Sequence, residues 1–195
     1  MQFQILSKIV VFLILIQCYF GSSPNSYAQE TDLSPSNHIP ILCKVLSFDR
    51  NLKQRSPTVI KIGLVYQSKY RTSLNTMYEI QRYFIEHSIK ISGINVAVRL
   101  IDLSEENLST IINSEDITVL YIAPLRAYNI ASLHGLCATK KIRSITGVSD
   151  YVSEGISVGV GTKGGKAEII INRPSSNREG ADYSAQLLKL SRIIE

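Results

Sequence analysis

The sequence predicts a single α/β domain of three layers, in which a mainly parallel sheet lies between two layers of helices. Three observations support this prediction. Apolar strand-like runs alternate with segments of helical periodicity, the run Val59–Tyr66 is apolar enough to be buried on both faces, and a glycine-rich hairpin follows near the carboxyl terminus. Parallel strands are joined by crossover helices, which cover both faces of such a sheet. The hairpin would add an antiparallel edge, followed by a C-terminal helix.

The first half of the chain supplies two helices and two strands. A short helix is predicted at His38–Leu52, with Pro40 in its first turn, where proline is tolerated. The strand Val59–Tyr66 follows, and apolar residues then recur on one helical face between Thr72 and His87. The run Ile94–Ile101 alternates apolar and polar residues, which is typical of a strand.

The middle of the chain continues the alternation. Ser104 is expected to begin a helix, Ile117–Ala123 is an apolar strand, Pro124 opens another helix, and Arg143–Val148 is the next strand. Strands separated by helices in this way build a parallel sheet with right-handed crossovers. The expected domain would resemble one lobe of a periplasmic solute-binding protein.

The carboxyl-terminal segment has its own order of elements. Ser149 and Asp150 suit a turn or helix cap before a short helix at Tyr151–Glu154. Two β-rich runs, Ile156–Val160 and Ala167–Ile171, then flank glycines that permit the positive φ of a tight hairpin.

A final helix is predicted beyond the hairpin. Ser176 and Glu179 are spaced as a capping box, and apolar residues recur at helical spacing from Ala181 to Ile194. Gly180 weakens the first turn of this helix, so its start is not defined by the sequence.

The carboxyl-terminal segment contains four short motifs, which are Val148-Ser149-Asp150, Gly155-Ile156, Ile171-Asn172 and Ser184-Ala185-Gln186-Leu187-Leu188-Lys189-Leu190. In these motifs and their order the segment resembles the YfiR/HmsC-type family of small periplasmic regulatory proteins. The resemblance implies an exported, non-enzymatic regulator that binds the periplasmic sensor region of an inner-membrane diguanylate cyclase and represses it. Such a protein would influence cyclic-di-GMP signalling and biofilm formation.

The amino terminus predicts export to the periplasm. Lys8 precedes the apolar run Ile9–Ile16, and a small-x-small pattern suits cleavage between Ala28 and Gln29, so residues 1–28 are interpreted as a signal peptide. A membrane anchor would need about 20 apolar residues, and a lipoprotein would use Cys18, which lacks small residues before it. Residues 29–37 are expected to be a flexible mature amino terminus and residues 38–195 the folded domain.

The charge of the chain argues against one class of function, nucleic-acid binding, and its cysteines allow one disulfide. The formal net charge is +5, and the basic residues are scattered along the chain, whereas nucleic-acid binding needs a concentrated basic surface. Export makes a disulfide between Cys43 and Cys137 chemically permissible, and such a bridge would be worth about 4 kcal/mol in the loop-entropy model. The sequence is compatible with this bridge and with two free thiols.

The glycine-rich stretch Gly159–Gly164 matches G-x-G-x-x-G letter for letter. A dinucleotide fingerprint must pass from a strand into a helix, but the residues that follow form another β-rich run. A phosphate loop would need Ser or Thr after Lys166, where the chain has Ala167. The stretch is therefore interpreted as a hairpin turn, and no cofactor is predicted.

Metal and catalytic motifs are weak. His134 and Cys137 have a spacing that could supply two metal ligands on a helix, but no other cysteine or histidine lies near them in sequence. There is no G-x-S-x-G turn and no assembled nucleophile, base and orienting group. The sequence thus predicts neither a metal site nor an enzyme.

Polar residues at the carboxyl ends of two strands form the candidate site. They are Tyr66, Gln67, Ser68, Ser149 and Asp150. Ligands of open α/β sheets settle outside the carboxyl ends of strands, so these residues are candidates to meet a partner or ligand. For Ser149 and Asp150, a helix cap is the simpler explanation. The alternative function is a small-molecule binding lobe serving a transporter or sensor, with a homodimer supplying the second lobe.

Overall fold

The computed structural model describes residues 30–195. The predicted signal peptide, the cleavage site between Ala28 and Gln29, and the lipidation alternative at Cys18 lie outside the described residues. Within residues 30–195, no helix combines the length and apolar character needed to cross a membrane.

The described chain contains eight helices and eight strands. The helices are α1 Pro35–Leu46, α2 Arg50–Arg55, α3 Arg71–Glu86, α4 Leu108–Ser114, α5 Ile130–Lys140, α6 Ser149–Ser153, α7 Arg173–Arg178 and α8 Ala185–Leu190. The strands are β1 Val59–Tyr66, β2 Lys90–Ile91, β3 Ile94–Asp102, β4 Val119–Ile122, β5 Arg143–Thr146, β6 Val158–Lys163, β7 Lys166–Asn172 and β8 Arg192–Ile194.

The strands form one sheet in the order β2-β3-β1-β4-β5-β6-β7-β8. The five central strands, β3, β1, β4, β5 and β6, are parallel, whereas β7 runs antiparallel to β6 and β2 antiparallel to β3. This confirms the predicted α/β class with a mainly parallel sheet, a C-terminal hairpin and a C-terminal helix.

Two apolar cores lie on opposite faces of the sheet. α1, α3 and α8 cover one face, where Leu42 and Ile80 are buried against β1. α4, α5 and α6 cover the other, where Ile112 and Leu133 are buried. β1 is buried on both faces, as expected, and a Cβ on its Gly63 would lie 2.7 Å from Leu120 Cδ2. The ends of the Leu120 and Ile101 side chains, from the two neighbouring strands, therefore pack directly over this glycine.

The hairpin β6–β7 turns at Gly164 and Gly165, whose φ angles are +56° and +74°. The interpretation of the glycine-rich stretch as a hairpin is confirmed. Gly159, earlier in β6, serves a different purpose, because a Cβ there would lie 2.4 Å from Val152 Cγ2. The glycine lets α6 pack directly on the sheet.

The prediction of one continuous final helix was wrong. α7 ends before Gly180, whose φ is +80°, and α8 covers only Ala185–Leu190. The last residues, Arg192–Ile194, are a strand that pairs in parallel with β7. Ser176 and Glu179 form no capping box, because Ser176 lies within α7 and Glu179 directly follows the end of that helix. Both side chains are buried, where the Ser176 hydroxyl donates to the Asn172 carbonyl and Glu179 accepts from the Ser144 hydroxyl. For Arg192–Ile194, hydrogen bonding to the open edge of β7 therefore outweighs the helical spacing of the apolar residues.

The first predicted helix also divides in two. α1 begins at Pro35, so residues 35–37 belong to this helix and not to the segment expected to be flexible. Asp49 then ends the run, because its carboxylate accepts a hydrogen bond from the Asn51 N–H and caps α2. Two later helices begin at asparagine caps, Asn107 for α4 and Asn129 for α5, and not at Ser104 and Pro124.

Cys43 and Cys137 are free thiols. Cys43 lies on α1 and Cys137 on α5, against opposite faces of the sheet. The disulfide that the sequence allowed is therefore absent, because the sheet separates the two sulfurs. Burial raises the pKa of Cys43 to about 12, which keeps this thiol protonated at neutral pH.

A buried ion pair ties the carboxyl-terminal segment to the rest of the fold. Arg143 at the start of β5 donates through Nε to Asp49 Oδ2 at 2.7 Å, and both side chains are almost completely buried. The guanidinium also donates to the main-chain carbonyl oxygens of Lys141, Glu179 and Gly180. The buried arginine thus holds the α1–α2 junction and the chain after α7 against β5.

Glu179 lies beside this pair and is fully buried. Its two oxygens accept hydrogen bonds from Ser144, one from the main-chain N–H at 2.9 Å and one from the hydroxyl at 2.5 Å. Burial raises the pKa of Glu179 to about 7, against the lowering effect of hydrogen bonds from Ser144 and Ser157 and of the nearby Arg143. The carboxyl group therefore titrates near neutral pH.

Candidate partner face at the carboxyl edge of the sheet

The five residues singled out in the sequence lie at one edge of the sheet. Tyr66 ends β1, Gln67 and Ser68 follow it, and Ser149 and Asp150 open α6 just after β5. β4 lies between β1 and β5 in the sheet, so the two groups are separated by one strand, about 10 Å. We call this set, with Arg126 from the loop after β4, the carboxyl-edge face.

Gln67 connects the end of β1 with the loop after β4. Its side-chain Oε1 accepts a hydrogen bond from the Arg126 N–H at 2.8 Å, and its Nε2 donates to the Arg126 carbonyl at 3.2 Å. The Gln67 main-chain N–H donates to Ser73 Oγ at the start of α3. These bonds join the loop after β4 to the end of β1 in the middle of the face.

Asp102 anchors the next part of the face. This residue ends β3, and its Oδ1 accepts hydrogen bonds from the main-chain N–H groups of Ser68 and Ser104. Partial burial alone would raise the pKa of Asp102, but the hydrogen bonds from Ser68 and Ser104 outweigh it, so the pKa is lowered. Sequence reasoning missed Asp102, although its position directly after a predicted strand was the signal already used for Gln67.

Ser149 does not cap α6 with its own side chain. The carboxylate of Asp32, from the segment before α1, accepts hydrogen bonds from the Ser149 N–H at 3.1 Å and from its hydroxyl at 2.9 Å. The Asp32 N–H in turn donates to the Gly147 carbonyl at 3.0 Å. Asp32 lies in the stretch expected to be flexible, and no local pattern indicated this contact. Asp150 is exposed beside it.

His38 also holds the segment before α1 that contains Asp32. The ring is fully buried, with Nδ1 2.9 Å from the Leu33 carbonyl and Nε2 2.8 Å from the Tyr121 hydroxyl. Burial lowers the pKa of His38, against hydrogen bonds that raise it, so the imidazole is neutral at physiological pH. A Cβ at Gly147 would lie 2.6 Å from this ring, so glycine is required there.

The face presents polar groups without an assembled catalytic constellation. Asp150 and Glu154 lie close enough to interact, and burial together with the Asp150 charge raises the pKa of Glu154. Within residues 30–195, no group of three or more His, Cys, Asp and Glu side chains is arranged to hold a metal ion.

Solved structures with a similar fold define the class first. The chain matches the ABC domain in complex with L-Trp from Streptococcus pneumoniae at 16% identity and a TM-score of 0.53, covering 77% of this chain and 62% of that one. It matches a conserved domain protein from Vibrio cholerae at 15% identity and 0.54, covering 84% and 61%. A substrate-binding protein with adhesive properties from Clostridium difficile matches at 17% and 0.52, covering 74% and 57%.

These likenesses show a fold of the substrate-binding-protein type, and the chain spans about three fifths of the length of those structures. A comparison with curated protein sequences gives no match. The family profile described as YfiR/HmsC-like matches residues 40–192. The chain therefore belongs to the YfiR/HmsC-like family, which confirms the resemblance found in the carboxyl-terminal residues.

Proposed function

We propose that this protein is an exported, non-enzymatic regulator that binds the periplasmic sensor region of an inner-membrane diguanylate cyclase and represses it. Family membership over residues 40–192 carries the proposal. Repression would lower the cellular level of cyclic-di-GMP and thereby reduce surface attachment and biofilm formation.

The carboxyl-edge face is the surface we assign to this contact. Gln67, Ser68 and Ser149 already use polar groups in bonds to Arg126, Asp102 and Asp32, respectively. A small solute would have to break those bonds to be recognised by the same groups, whereas a protein surface can pack over a prebuilt face. This favours a protein partner over the alternative of a solute-binding lobe.

Deletion of the gene tests the regulatory role. The level of cyclic-di-GMP, measured by mass spectrometry of cell extracts, should rise in the deletion strain and return on complementation. Cross-linking in cells followed by capture of the tagged protein should recover a membrane protein with a diguanylate cyclase domain. Unchanged cyclic-di-GMP in the deletion strain would show that the proposed function is wrong.

A charge reversal tests the assigned face separately. Asp150→Lys should weaken binding to the purified sensor region about tenfold or more, since it reverses an exposed charge on the assigned contact surface and leaves the partner group opposite it unmatched. Glu79→Lys, on the exposed side of α3, is the matched control and should bind as the wild type does. Equal binding by both variants would show that the contact lies elsewhere on the protein. It would not contradict the proposed regulatory role.

A further inference from the structure

A groove lies at the opposite, amino edge of the sheet. It is enclosed by the C-terminal halves of α1 and α3 and by the edge strand β2, and its volume is about 660 Å³. The lining residues are Pro40, Cys43, Lys44, Ser47, Phe48, Tyr83, Ser88, Ile89, Lys90 and Ser92. None of them belongs to the carboxyl-edge face, so the groove is a second, separate surface.

The groove combines aromatic walls with positive charge. Phe48 and Tyr83 are partly buried and pack against the core, and each leaves part of its ring toward the groove. Lys44 Nζ lies 5.4 Å from the centroid of the Phe48 ring. Lys44 and Lys90 are exposed, and no carboxylate occurs among the lining residues of this described part of the chain. An occupant with negative charge and an apolar side chain matches this lining.

β2 supplies main-chain groups along the groove. β2 is at the end of the sheet and pairs only with β3 among the described strands. Ile91 pairs with Ile94 across the two-residue turn Ser92–Gly93, in which both φ angles are positive. In such a hairpin the residues flanking the turn exchange both hydrogen bonds, and the next pair does not. The N–H and C=O of Lys90 therefore point away from β3, toward the open edge.

We propose that this groove binds an extended acidic peptide segment of another protein, which adds to β2 as a further strand. The Lys90 main chain would exchange two hydrogen bonds with the peptide, as in other cases of strand addition. Carboxylates of the peptide would meet Lys44 and Lys90, and an apolar side chain would lie between Phe48 and Tyr83. The proposal does not depend on the regulatory function assigned above.

Peptide selection tests the chemistry of the occupant. Random peptides of about ten residues, enough for one strand, are displayed on phage and selected on the purified wild-type domain and on the double variant Lys44→Glu/Lys90→Glu. Peptides selected on the wild type should be enriched in Asp and Glu, and this enrichment should disappear on the variant. No acidic enrichment, or the same enrichment on both proteins, would overturn the proposal.

Direct binding then locates the peptide. Fluorescence anisotropy of a selected peptide should show affinity about tenfold weaker or worse for the Lys44→Glu/Lys90→Glu protein. The matched control, Lys163→Glu/Lys166→Glu, carries the same charge change on the β6–β7 hairpin and should bind like the wild type. Equal loss in both double variants would mean that net charge alone governs binding and would refute the groove as the site.

Hydrogen exchange separates strand addition from simple attraction of charges. The amide of Lys90 should exchange more slowly when the peptide is bound, since an added strand accepts its hydrogen bond. Unchanged exchange at this amide would overturn the strand geometry. A domain that dimerises through the groove without any peptide, with the dimer lost in Lys44→Glu/Lys90→Glu, would make a second copy the occupant and would also overturn the proposal.

Discussion

Glu179 predicts how the stability of the fold depends on pH. The carboxyl group is fully buried and its pKa is raised from 4.5 to about 7, with burial as the largest cause. A group whose pKa is raised by folding binds its proton more tightly in the folded state, so its contribution is complete below the unfolded pKa and is lost as pH rises through the folded pKa. The shift corresponds to about 3 kcal/mol lost between about pH 4.5 and pH 7.

The substitution Glu179→Gln removes this titration while keeping the shape of the side chain. The glutamine Oε1 can accept the Ser144 N–H, and its amide group can donate toward the Ser144 or Ser157 hydroxyl, so the site stays hydrogen-bonded. Urea unfolding followed by circular dichroism, from about pH 5 to about pH 8, measures the free energy of unfolding of both proteins. The variant should gain stability relative to the wild type with rising pH, by about 3 kcal/mol in total.

The matched control is Glu79→Gln, which replaces an exposed carboxyl group on α3. The difference in unfolding free energy between this variant and the wild type should stay constant across the same pH range. A difference for Glu179→Gln that also stays constant would refute the reasoning. It would mean that Arg143 and the two bonds from Ser144 keep Glu179 ionised despite its burial.

Three further substitutions test contacts in the fold, and a fourth, Gly135→Ala, serves as a control. Arg143→Met leaves a carboxylate and three carbonyl groups without their buried donor and should cost about 3–5 kcal/mol in urea unfolding. Gly159→Ala places a methyl group against α6 and should cost about 1–3 kcal/mol in urea unfolding. Gly135→Ala, with open space around it on α5, should be neutral or stabilising in the same experiment. Asp32→Ala should cost about 1 kcal/mol and speed hydrogen exchange at the Ser149 amide.

The sequence predicted the local elements of the central sheet well. The predicted apolar runs coincide closely with the strands β1, β3, β4 and β5. This is expected, because the periodicity of a strand or helix depends only on residues that are neighbours in sequence. The hairpin was predicted equally well, because its turn needs positive φ angles and the sequence has glycine at both positions, Gly164 and Gly165. Helix starts were read less well, since polar residues that could cap a helix occur at several neighbouring positions.

The positions of the candidate residues were predicted in part. The rule that ligand contacts lie beyond the carboxyl ends of strands selected Gln67 and Ser149, and both lie at that edge of the sheet. It did not reveal Asp32, because a carboxylate 117 residues away in sequence leaves no mark near Ser149. It also did not reveal that the side-chain amide of Gln67 is hydrogen-bonded to Arg126. That bond depends on the path of the loop after β4, which returns to the end of β1.

The sequence by itself determined the α/β class, the hairpin and the family, because each is encoded in short-range spacing of residue types. Only the tertiary structure decided that Cys43 and Cys137 stay apart and that the last residues pair as a strand. It also brought Asp49, Arg143 and Glu179 into one buried cluster. Such contacts join residues many tens of positions apart, and their existence depends on the path of the whole chain through two cores.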